Sequence, residues 1–351
     1  MVAEGRLQGC MHYHAPGMAI DPRHLLATLS DRHAVSGSDL AGQLGVTRAA
    51  VWKQIEALRD LGAPIEAEAG TGYRLAWPFE PLDARSILNA LDLPTRAALA
   101  GIDVHWQIDS TNAELLRVAG KAQTAARVCL AETQSAGRGR RGRTWQSPLG
   151  GNLYFSLLWP FEQGMGGLSG LSLVAGIAAV EALKDCGVEE IGLKWPNDVI
   201  ARGSKLAGIL VELGGEFLGP CHAVIGIGIN LRLPTAARSA IDQPAIDVAA
   251  LTGDAVPSRN RLAASLTVRL VAALERFRGE GFAPFRDDYA HNDLLHGRPI
   301  QVLTAGKKRD GVAAGIDERG ALIVRCGKAL IHLDSAEVSV RSTAHGTATP
   351  Q

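Results

Sequence analysis

Residues 137–145 combine a high density of positive charge with a flexible backbone. They read GRGRRGRTW, and four arginines and three glycines stand in the first seven positions. Guanidinium groups pair bidentately with phosphate oxygens, and glycine lets backbone amides approach an anion closely. Because its arginines repel one another, such a loop stays open until an anion arrives. The run therefore predicts a mobile loop that closes on a compact polyanion.

Two other interpretations of this run fail on context. Residues 137–142 match the dinucleotide-binding pattern G-x-G-x-x-G, which needs a strand leading directly into it and a helix opening out of it. Here ETQSA precedes the run, and Pro148 and two glycines interrupt the segment on its C-terminal side. RGG-type RNA-binding segments are longer, repeated and set in low-complexity sequence. The P-loop pattern G-x-x-x-x-G-K-[ST] does not occur in the chain.

Two lysines stand in otherwise apolar strand candidates. Lys194 begins KWPNDV and Lys205 lies in SKLAGILVE at 204–212, close enough in sequence for the two segments to pair as a hairpin. An ammonium is costly to bury without a partner, so each lysine either ends a strand in solvent or has a function. GIGIN at 226–230 indicates a tightly packed strand entering a turn, with glycines that are structural rather than catalytic.

The elements that precede these motifs predict a winged helix-turn-helix at 21–77. PRHLLATLSD indicates a short helix, and two further helices follow, separated by a turn at Gly45 and Val46. Thr47 is placed as the N-cap of the second of these. Two short strands around a GTG turn then form a wing. This order of elements is typical of DNA-binding domains.

The helix that begins after Thr47 is the candidate for the major groove of DNA. Its apolar stripe leaves Arg48, Lys53 and Gln54 free to face a ligand. The alternative is a winged helix that binds protein, because 21–77 contains six basic and seven acidic residues. With a net charge of −1 a monomer has little nonspecific attraction for phosphates, so DNA binding is expected only from a dimer.

The rest of the chain predicts a multidomain α+β protein. A long α/β segment contains the helix LSGLSLVAGIAAVEALKDCG and several apolar strands, and short alternating runs near the C-terminus indicate a small β-barrel. The predicted division is a disordered N-terminal extension (1–20), the winged helix-turn-helix (21–77), a linker (78–83), an α/β domain (84–292), a β-barrel (293–342) and a disordered tail (343–351).

Composition narrows the possible partners and location. Basic and acidic residues number 36 each, so any polyanion must be met by a local cluster. Five scattered cysteines without a C-x-x-C pattern favour a reducing cytoplasm over a disulfide framework or a zinc site. The sequence contains no run of about 18 apolar residues, so no membrane span is predicted.

Taken together, the motifs resemble those of biotin–protein ligases. STN at 110–112, ETQSAGRGRRGRTW at 132–145, KWPNDV, SKLAGILVE and GIGIN occur in the order and approximate spacing of that family. With the winged helix and the C-terminal barrel, residues 21 to 341 look like the bifunctional bacterial kind, a biotin ligase and biotin-operon repressor. The Gly-Gly-Gly-x-Val-x-His-Asp type of segment of the related lipoate ligases is absent. The resemblance implies a central biotin/lipoyl-ligase domain similar to class II synthetases and an SH3-like barrel.

The resemblance also implies a reaction. Biotin and ATP, with Mg²⁺, form biotinyl-5′-AMP, and biotin then passes to one lysine of a biotin carboxyl carrier protein. Lys205, Arg140, Arg138 and Asp198 are the catalytic candidates, with Arg140 retaining the adenylate and Asp198 orienting the acceptor lysine or placing Mg²⁺. The metal ligands are not assigned. The residues expected to bind biotin or the adenylate are Ser110, Thr111, Asn112, Gln134, Arg138, Gly139, Arg140, Trp145 and Lys205.

The sequence leaves three hypotheses about how ligase activity and DNA binding combine in this chain. The expected protein is a ligase that also represses biotin synthesis genes, as a homodimer favoured by biotinyl-AMP. It binds operator DNA and the carrier domain, but no membrane. One alternative is a ligase whose winged helix no longer represses, and another is a ligand-sensing DNA-binding regulator without ligase activity.

Overall fold

The computed structural model describes residues 20–119, 125–253, 255–304, 307–334 and 338–342. The expected N-terminal extension, apart from Ile20, and the expected tail lie outside these residues. The chain divides into two compact units. The first runs to Pro81 and includes Pro148–Gly151, and the second holds the remainder. Among the described helices, none has the length and apolar character needed to cross a membrane.

The first unit confirms the predicted winged helix-turn-helix. Two strands form an antiparallel wing after three helices. The elements are α1 (Pro22–Thr28), α2 (Gly37–Leu44), α3 (Arg48–Asp60), β1 (Ile65–Glu68) and β2 (Gly72–Leu75).

Local sequence explains where α2 ends and α3 begins. Gly45 follows α2 with φ of 66°, a left-handed conformation that glycine adopts without steric cost. Thr47 Oγ1 then accepts a hydrogen bond from Ala50 N at 3.2 Å, as expected for an N-cap. The turn and the cap together fix the direction of α3.

The second unit is built on a large sheet of seven strands, and its described residues form eight α-helices. The strands of this sheet are β3 (Gly101–Ile108), β4 (Arg127–Gln134), β5 (Asn152–Phe161), β6 (Ile191–Lys194), β7 (Asp198–Ala201), β8 (Ser204–Gly215) and β9 (Cys221–Asn230). The helices are α4 (Ala84–Asn89), α5 (Leu93–Ala98), α6 (Thr111–Ala119), α7 (Leu171–Asp185), α8 (Thr235–Ser239), α9 (Ala249–Thr252), α10 (Arg259–Glu280) and α11 (Arg286–Asn292).

The large sheet is mixed, with the order β3-β4-β5-β9-β8-β7-β6. Of its described strands, β3 and β4 pair in parallel and the other neighbouring pairs are antiparallel. The motif strands therefore lie side by side, with β9 between β5 and β8. The predicted hairpin from KWPNDV to SKLAGILVE is formed by β7 and β8.

Helices cover the two faces of this sheet differently. The predicted helix α7 is apolar around most of its circumference and packs with α10 in the main core. On the other face, Leu115 of α6 joins a small cluster with Cys129, Leu158 and Val224. Because α6 covers only part of that face, the sheet next to its N-terminus can line a cleft.

The C-terminal part of the second unit is the expected small antiparallel sheet domain. Its strand order is β13-β12-β11-β10-β14. The strands are β10 (Pro299–Thr304), β11 (Lys307–Ile316), β12 (Leu322–Cys326), β13 (Ala329–Leu333) and β14 (Val338–Ser342). The Trp195 indole donates a hydrogen bond to Gly320 O at 3.0 Å, which joins the KWPNDV segment to this domain.

Candidate functional site

A cleft opens on the face of the sheet that carries α6. Sequence motifs more than 100 residues apart supply its walls, because β4, β5, β8 and β9 are neighbours in the sheet. All nine residues expected to bind biotin or the adenylate line it, namely Ser110, Thr111, Asn112, Gln134, Arg138, Gly139, Arg140, Trp145 and Lys205. The remaining lining residues are Tyr154, Phe155, Asn197, Gly208, Ile209, Leu210, Gly226, Ile227 and Gly228.

The first turn of α6 presents hydroxyl and amide groups to the cleft. Thr111 donates from both its backbone N and its Oγ1 to Gln134 Oε1, at 2.9 and 3.2 Å. Gln134 Nε2 in turn donates to Ser147 Oγ at 3.2 Å. A single glutamine therefore connects the start of α6 to the chain that leaves the Gly/Arg loop at 137–145, called the cationic loop below.

An ion pair holds the chain just before this turn. Arg117 donates to both carboxylate oxygens of Asp109, at 2.8 and 2.9 Å. These hydrogen bonds lower the pKa of Asp109 to about 2. The carboxylate is thus ionised at neutral pH, and one of its oxygens also accepts from Ser110 N at 2.7 Å. The interaction secures the STN segment from its exposed side.

Asn112 is fixed by protein groups on both ends of its amide. Its Nδ2 donates to Glu212 Oε2 at 2.8 Å and to Leu210 O at 3.3 Å, while its Oδ1 lies 2.6 Å from the hydroxyl of Ser156. Gly226 leaves the space for this amide, because a Cβ there would stand 2.2 Å from Asn112 Oδ1. The glycine of GIGIN is therefore structural, as the sequence indicated.

Glu212 was not singled out from the sequence, although it lies in the SKLAGILVE motif. Its Oε2 accepts from Arg138 Nη2 at 3.1 Å as well as from Asn112. One carboxylate thus connects the cationic loop to α6. The alternation of β8 was the available signal, since Glu212 and Leu210 project from the same face of the strand.

The cationic loop is closed at its base. Trp145 N donates to Gly137 O at 2.9 Å, and Gly139 N donates to Arg143 O at 2.7 Å. A Cβ at Gly137 would lie 2.7 Å from Trp145 O, so glycine is required there. Arg141 has a φ of 58°, a left-handed conformation that costs a non-glycine residue about 1 kcal/mol. In place of the open loop expected without ligand, the structure has a folded turn because these backbone hydrogen bonds close it.

Trp145 lies against the sheet where two strands carry glycine. Cβ atoms at Gly208 and Gly228 would stand 2.9 and 2.4 Å from its ring atoms. The Lys205 ammonium lies 5.6 Å from the centroid of the same ring. The indole thus forms an apolar wall beside the lysine, and its Nε1 is buried with no hydrogen-bond partner among the described residues.

Lys205 is positioned by backbone contacts on two sides. A register shift in the β7–β8 pair brings it opposite Ile200. Its N donates to Pro244 O at 2.9 Å, and its O accepts from Ile246 N at 3.0 Å. The side chain is only 16% exposed, and its Nζ lies 2.6 Å from Asp198 Oδ1. Lys205 is therefore a half-enclosed ion-pair partner rather than a solvated strand end.

Arg140 also approaches the KWPNDV segment. Its Nη1 donates to Asn197 Oδ1 at 3.0 Å, and Asn197 Nδ2 donates to Ile209 O at 2.8 Å. Burial lowers the pKa of the Arg140 guanidinium, with a further lowering from the neighbouring Arg141. Desolvation at this position strengthens the attraction of Arg140 for an anion in the cleft.

In the first unit, the three residues expected to face DNA differ in their exposure to solvent. Arg48 and Lys53 are exposed on α3, whereas Gln54 is half-buried. Val51, Ile55 and Leu58 form the buried side of the helix, as the apolar stripe predicted.

Fold and cleft together define the class of the protein. One cleft is lined by the partly desolvated Arg140, by Arg138 of the same loop and by the ion-paired Lys205. This arrangement suits an enzyme that acts on a phosphate-containing anion. A helix-turn-helix unit precedes the enzyme in the same chain.

Comparison with known proteins identifies the family. Residues 104–230 match the biotin/lipoate A/B protein ligase family, 23–74 match an HTH domain, and 295–341 match the biotin protein ligase C-terminal domain. The chain is 40% identical over 323 residues to the bifunctional ligase/repressor BirA of Escherichia coli K12, covering 92% of this chain and 97% of that protein.

Further relatives agree with this assignment. The biotin–[acetyl-CoA-carboxylase] ligase of Mycobacterium tuberculosis is 35% identical, with coverage of 74% of this chain and 95% of that protein. The structure of biotin protein ligase from Aquifex aeolicus in complex with biotin and ATP is similar with a TM-score of 0.59 at 26% identity. It covers 70% of this chain and 100% of that one. The chain belongs to the biotin–protein ligase family.

Proposed function

We propose that the protein activates biotin with ATP and transfers it to a lysine of a biotin carboxyl carrier protein domain. The observation that carries this proposal is the convergence of all nine residues assigned from the motifs on one cleft. The identity of 40% over 92% of the chain to a bifunctional ligase/repressor supports it. The site residues are therefore proposed in the roles that the resemblance implies.

The first step brings two anions together. A carboxylate oxygen of biotin attacks the α-phosphorus of ATP, a C(O)–O–P bond forms, and the bond to the β-phosphate oxygen breaks to release pyrophosphate. Lys205 and Arg140 supply positive charge at the cleft, where partial burial makes that charge more effective than in water. Arg138 reaches the same cleft from the loop.

In the second step the acceptor lysine attacks the acyl carbon and AMP leaves. A lysine with an ordinary pKa near 10.4 is uncharged in only about four molecules per ten thousand at pH 7. Asp198 lies 2.6 Å from the Lys205 ammonium. This contact supports a role in holding Lys205, ahead of a role as the base for the carrier lysine.

Mg²⁺ bound to the ATP phosphates would neutralise part of their charge. No cluster of three or more His, Cys, Asp or Glu side chains suitable for a metal occurs among the described residues. The donor set of the cleft therefore fits a metal brought by the nucleotide, since Mg²⁺ in such sites relies on substrate phosphates and few protein carboxylates.

The helix-turn-helix unit supports a second role, repression of biotin synthesis genes in the cytoplasm. Its α3 presents Arg48 and Lys53 on an exposed surface. With six basic and seven acidic residues in 21–77, operator binding requires two copies held together. Biotinyl-AMP is proposed to favour this homodimer.

Incubation with a carrier domain, labelled biotin, ATP and Mg²⁺ tests the ligase. Labelling that depends on ATP and on the carrier lysine is expected, and loss of labelling in Lys205→Ala ties it to the cleft. A protein that binds biotin but never labels the carrier would instead be a ligand-sensing regulator.

A gel shift with the biotin-synthesis promoter of the source organism tests the repressor. A shift that requires biotin and ATP is expected. An active ligase that gives no shift under these conditions would be a ligase whose winged helix no longer represses.

A further inference from the structure

The exposed side of α3 carries a large aromatic residue that the ligase reaction does not use. Trp52 is 58% exposed, while Val51, Ile55 and Leu58 on the buried side of the same helix are at most 1% exposed. The side chain is not needed to hold the helix in place, because those three residues already fill the core side. A tryptophan kept in water offers a large apolar surface to a partner.

Two cationic residues adjoin Trp52 in the exposed part of α3. Arg48 lies one helical turn before it, about 6 Å along the axis, and Lys53 follows it directly. Among the ion pairs of the described residues, none involves Arg48 or Lys53, whereas Arg59 is paired with Glu56. The surface formed by Arg48, Trp52 and Lys53 therefore combines an apolar centre with available positive charge.

The wing contrasts with this surface. Arg74 is held by Glu66 and Glu68, so the charge of that arginine is neutralised within the wing. Positive charge for an anionic partner is thus concentrated at the beginning of α3. Charge complementarity selects a polyanion as the partner of this surface.

Within duplex DNA, an indole at this position has a specific apolar target. The N-terminal residues of a recognition helix contact base edges in the major groove, and Trp52 is the fifth residue of α3. The apolar group exposed in that groove is the C5-methyl of thymine. We propose that Trp52 determines operator specificity by packing on thymine methyl groups, while Arg48 and Lys53 bind phosphate or base edges. This inference rests on the proposed repressor function.

Operators in which deoxyuridine replaces thymine, one position at a time, provide the test. The full-length protein is assayed with biotin and ATP present, so that the adenylate forms. At the contacted thymine, removal of one methyl is expected to weaken binding by the unchanged protein about fourfold. Trp52→Ala is expected to bind the thymine operator about tenfold more weakly and to show no further loss with deoxyuridine.

Two control variants separate this role from general charge or folding effects. Arg59→Ala removes an exposed residue in the last turn of α3 and is expected to retain the deoxyuridine effect. Lys53→Ala is expected to reduce the slope of log K against log salt by about one, while Trp52→Ala leaves the slope unchanged. Carrier biotinylation by each variant reports that the second unit is folded, and thermal unfolding followed by circular dichroism checks the first unit.

Each outcome decides the proposal. Equal operator affinity for Trp52→Ala and the unchanged protein, or an undiminished deoxyuridine effect in the variant, overturns the role of Trp52 while the repressor function stands. Failure of the unchanged protein to bind any operator overturns the repressor function, and the role of Trp52 with it. If the unchanged protein binds no operator but captures a protein that Trp52→Ala does not capture, the surface binds protein instead of DNA.

Discussion

Lys205 Nζ and Asp198 Oδ1 lie 2.6 Å apart, and the two side chains are only 16% and 17% exposed. A register shift between β7 and β8 produces this pairing, because it changes which residues stand opposite each other. The ammonium has its counter-charge from the protein before any ligand binds. An incoming anion must therefore compete with Asp198 or share the lysine with it.

This relationship predicts that Asp198 acts through Lys205. Lys205→Ala is expected to reduce single-turnover biotinyl-AMP synthesis by about 10²–10³-fold, as for loss of one group that stabilises developing charge. Asp198→Asn is expected to reduce it less, and the double variant no further than Lys205→Ala alone. Quench-flow measurement of adenylate formation checks this, and losses that multiply in the double variant would show an independent role for Asp198.

The contact of Glu212 with Arg138 predicts a change in substrate binding. Glu212→Gln keeps an acceptor for Asn112 but removes the charge that holds Arg138 at the cleft. We expect the KM for biotin to rise several-fold with kcat little changed. Glu216→Gln, an exposed carboxylate beyond the same strand, is the matched control. A fall in KM would mean instead that Glu212 shields Arg138 from the ligand.

Arg140 is expected to retain the adenylate. Its guanidinium is partly desolvated and bound to Asn197, so Arg140→Ala removes a fixed positive charge from the cleft. The variant should release biotinyl-AMP and label lysines of an unrelated protein. Arg141→Ala is the control because Arg141 is exposed and does not line the cleft. Strict carrier specificity in Arg140→Ala would contradict the retention role.

The adenylate is expected to couple the two functions. If biotinyl-AMP binds more tightly to the dimer than to the monomer, the ligand must stabilise the dimer, and the dimer must bind the ligand more tightly. Sedimentation with and without biotinyl-AMP should show a shift toward dimer, and operator binding should rise in parallel. A dimer population insensitive to the adenylate, with DNA binding that still responds, would exclude this coupling.

Stability is expected to depend on a buried ion pair in the second unit. Arg259 Nη2 lies 2.8 Å from Glu132 Oε2, and the two side chains are 6% and 1% exposed. Arg259→Met leaves a buried carboxylate without this partner and should lower the free energy of unfolding by about 3–5 kcal/mol. Urea denaturation measures the loss. The double variant Glu132→Leu with Arg259→Met should recover much of it, whereas no recovery would assign the loss to packing.

The sequence alone determined the local structure around α3 and, through the family resemblance, part of the lining of the cleft. Thr47 and Gly45 marked the boundary between two helices because capping and left-handed conformations depend on neighbouring residues only. The spacing of Val51, Ile55 and Leu58 likewise identified the buried side of α3. The resemblance to biotin–protein ligases, which the motifs carry, implied nine binding residues that meet in one cleft.

Only the tertiary structure decided how those residues pair. Arg138 and Glu212 are 74 residues apart, and Arg140 and Asn197 are 57 apart, so no local pattern relates them. The partner of Lys205 depends on a register shift in the sheet, which hydrophobic alternation does not reveal.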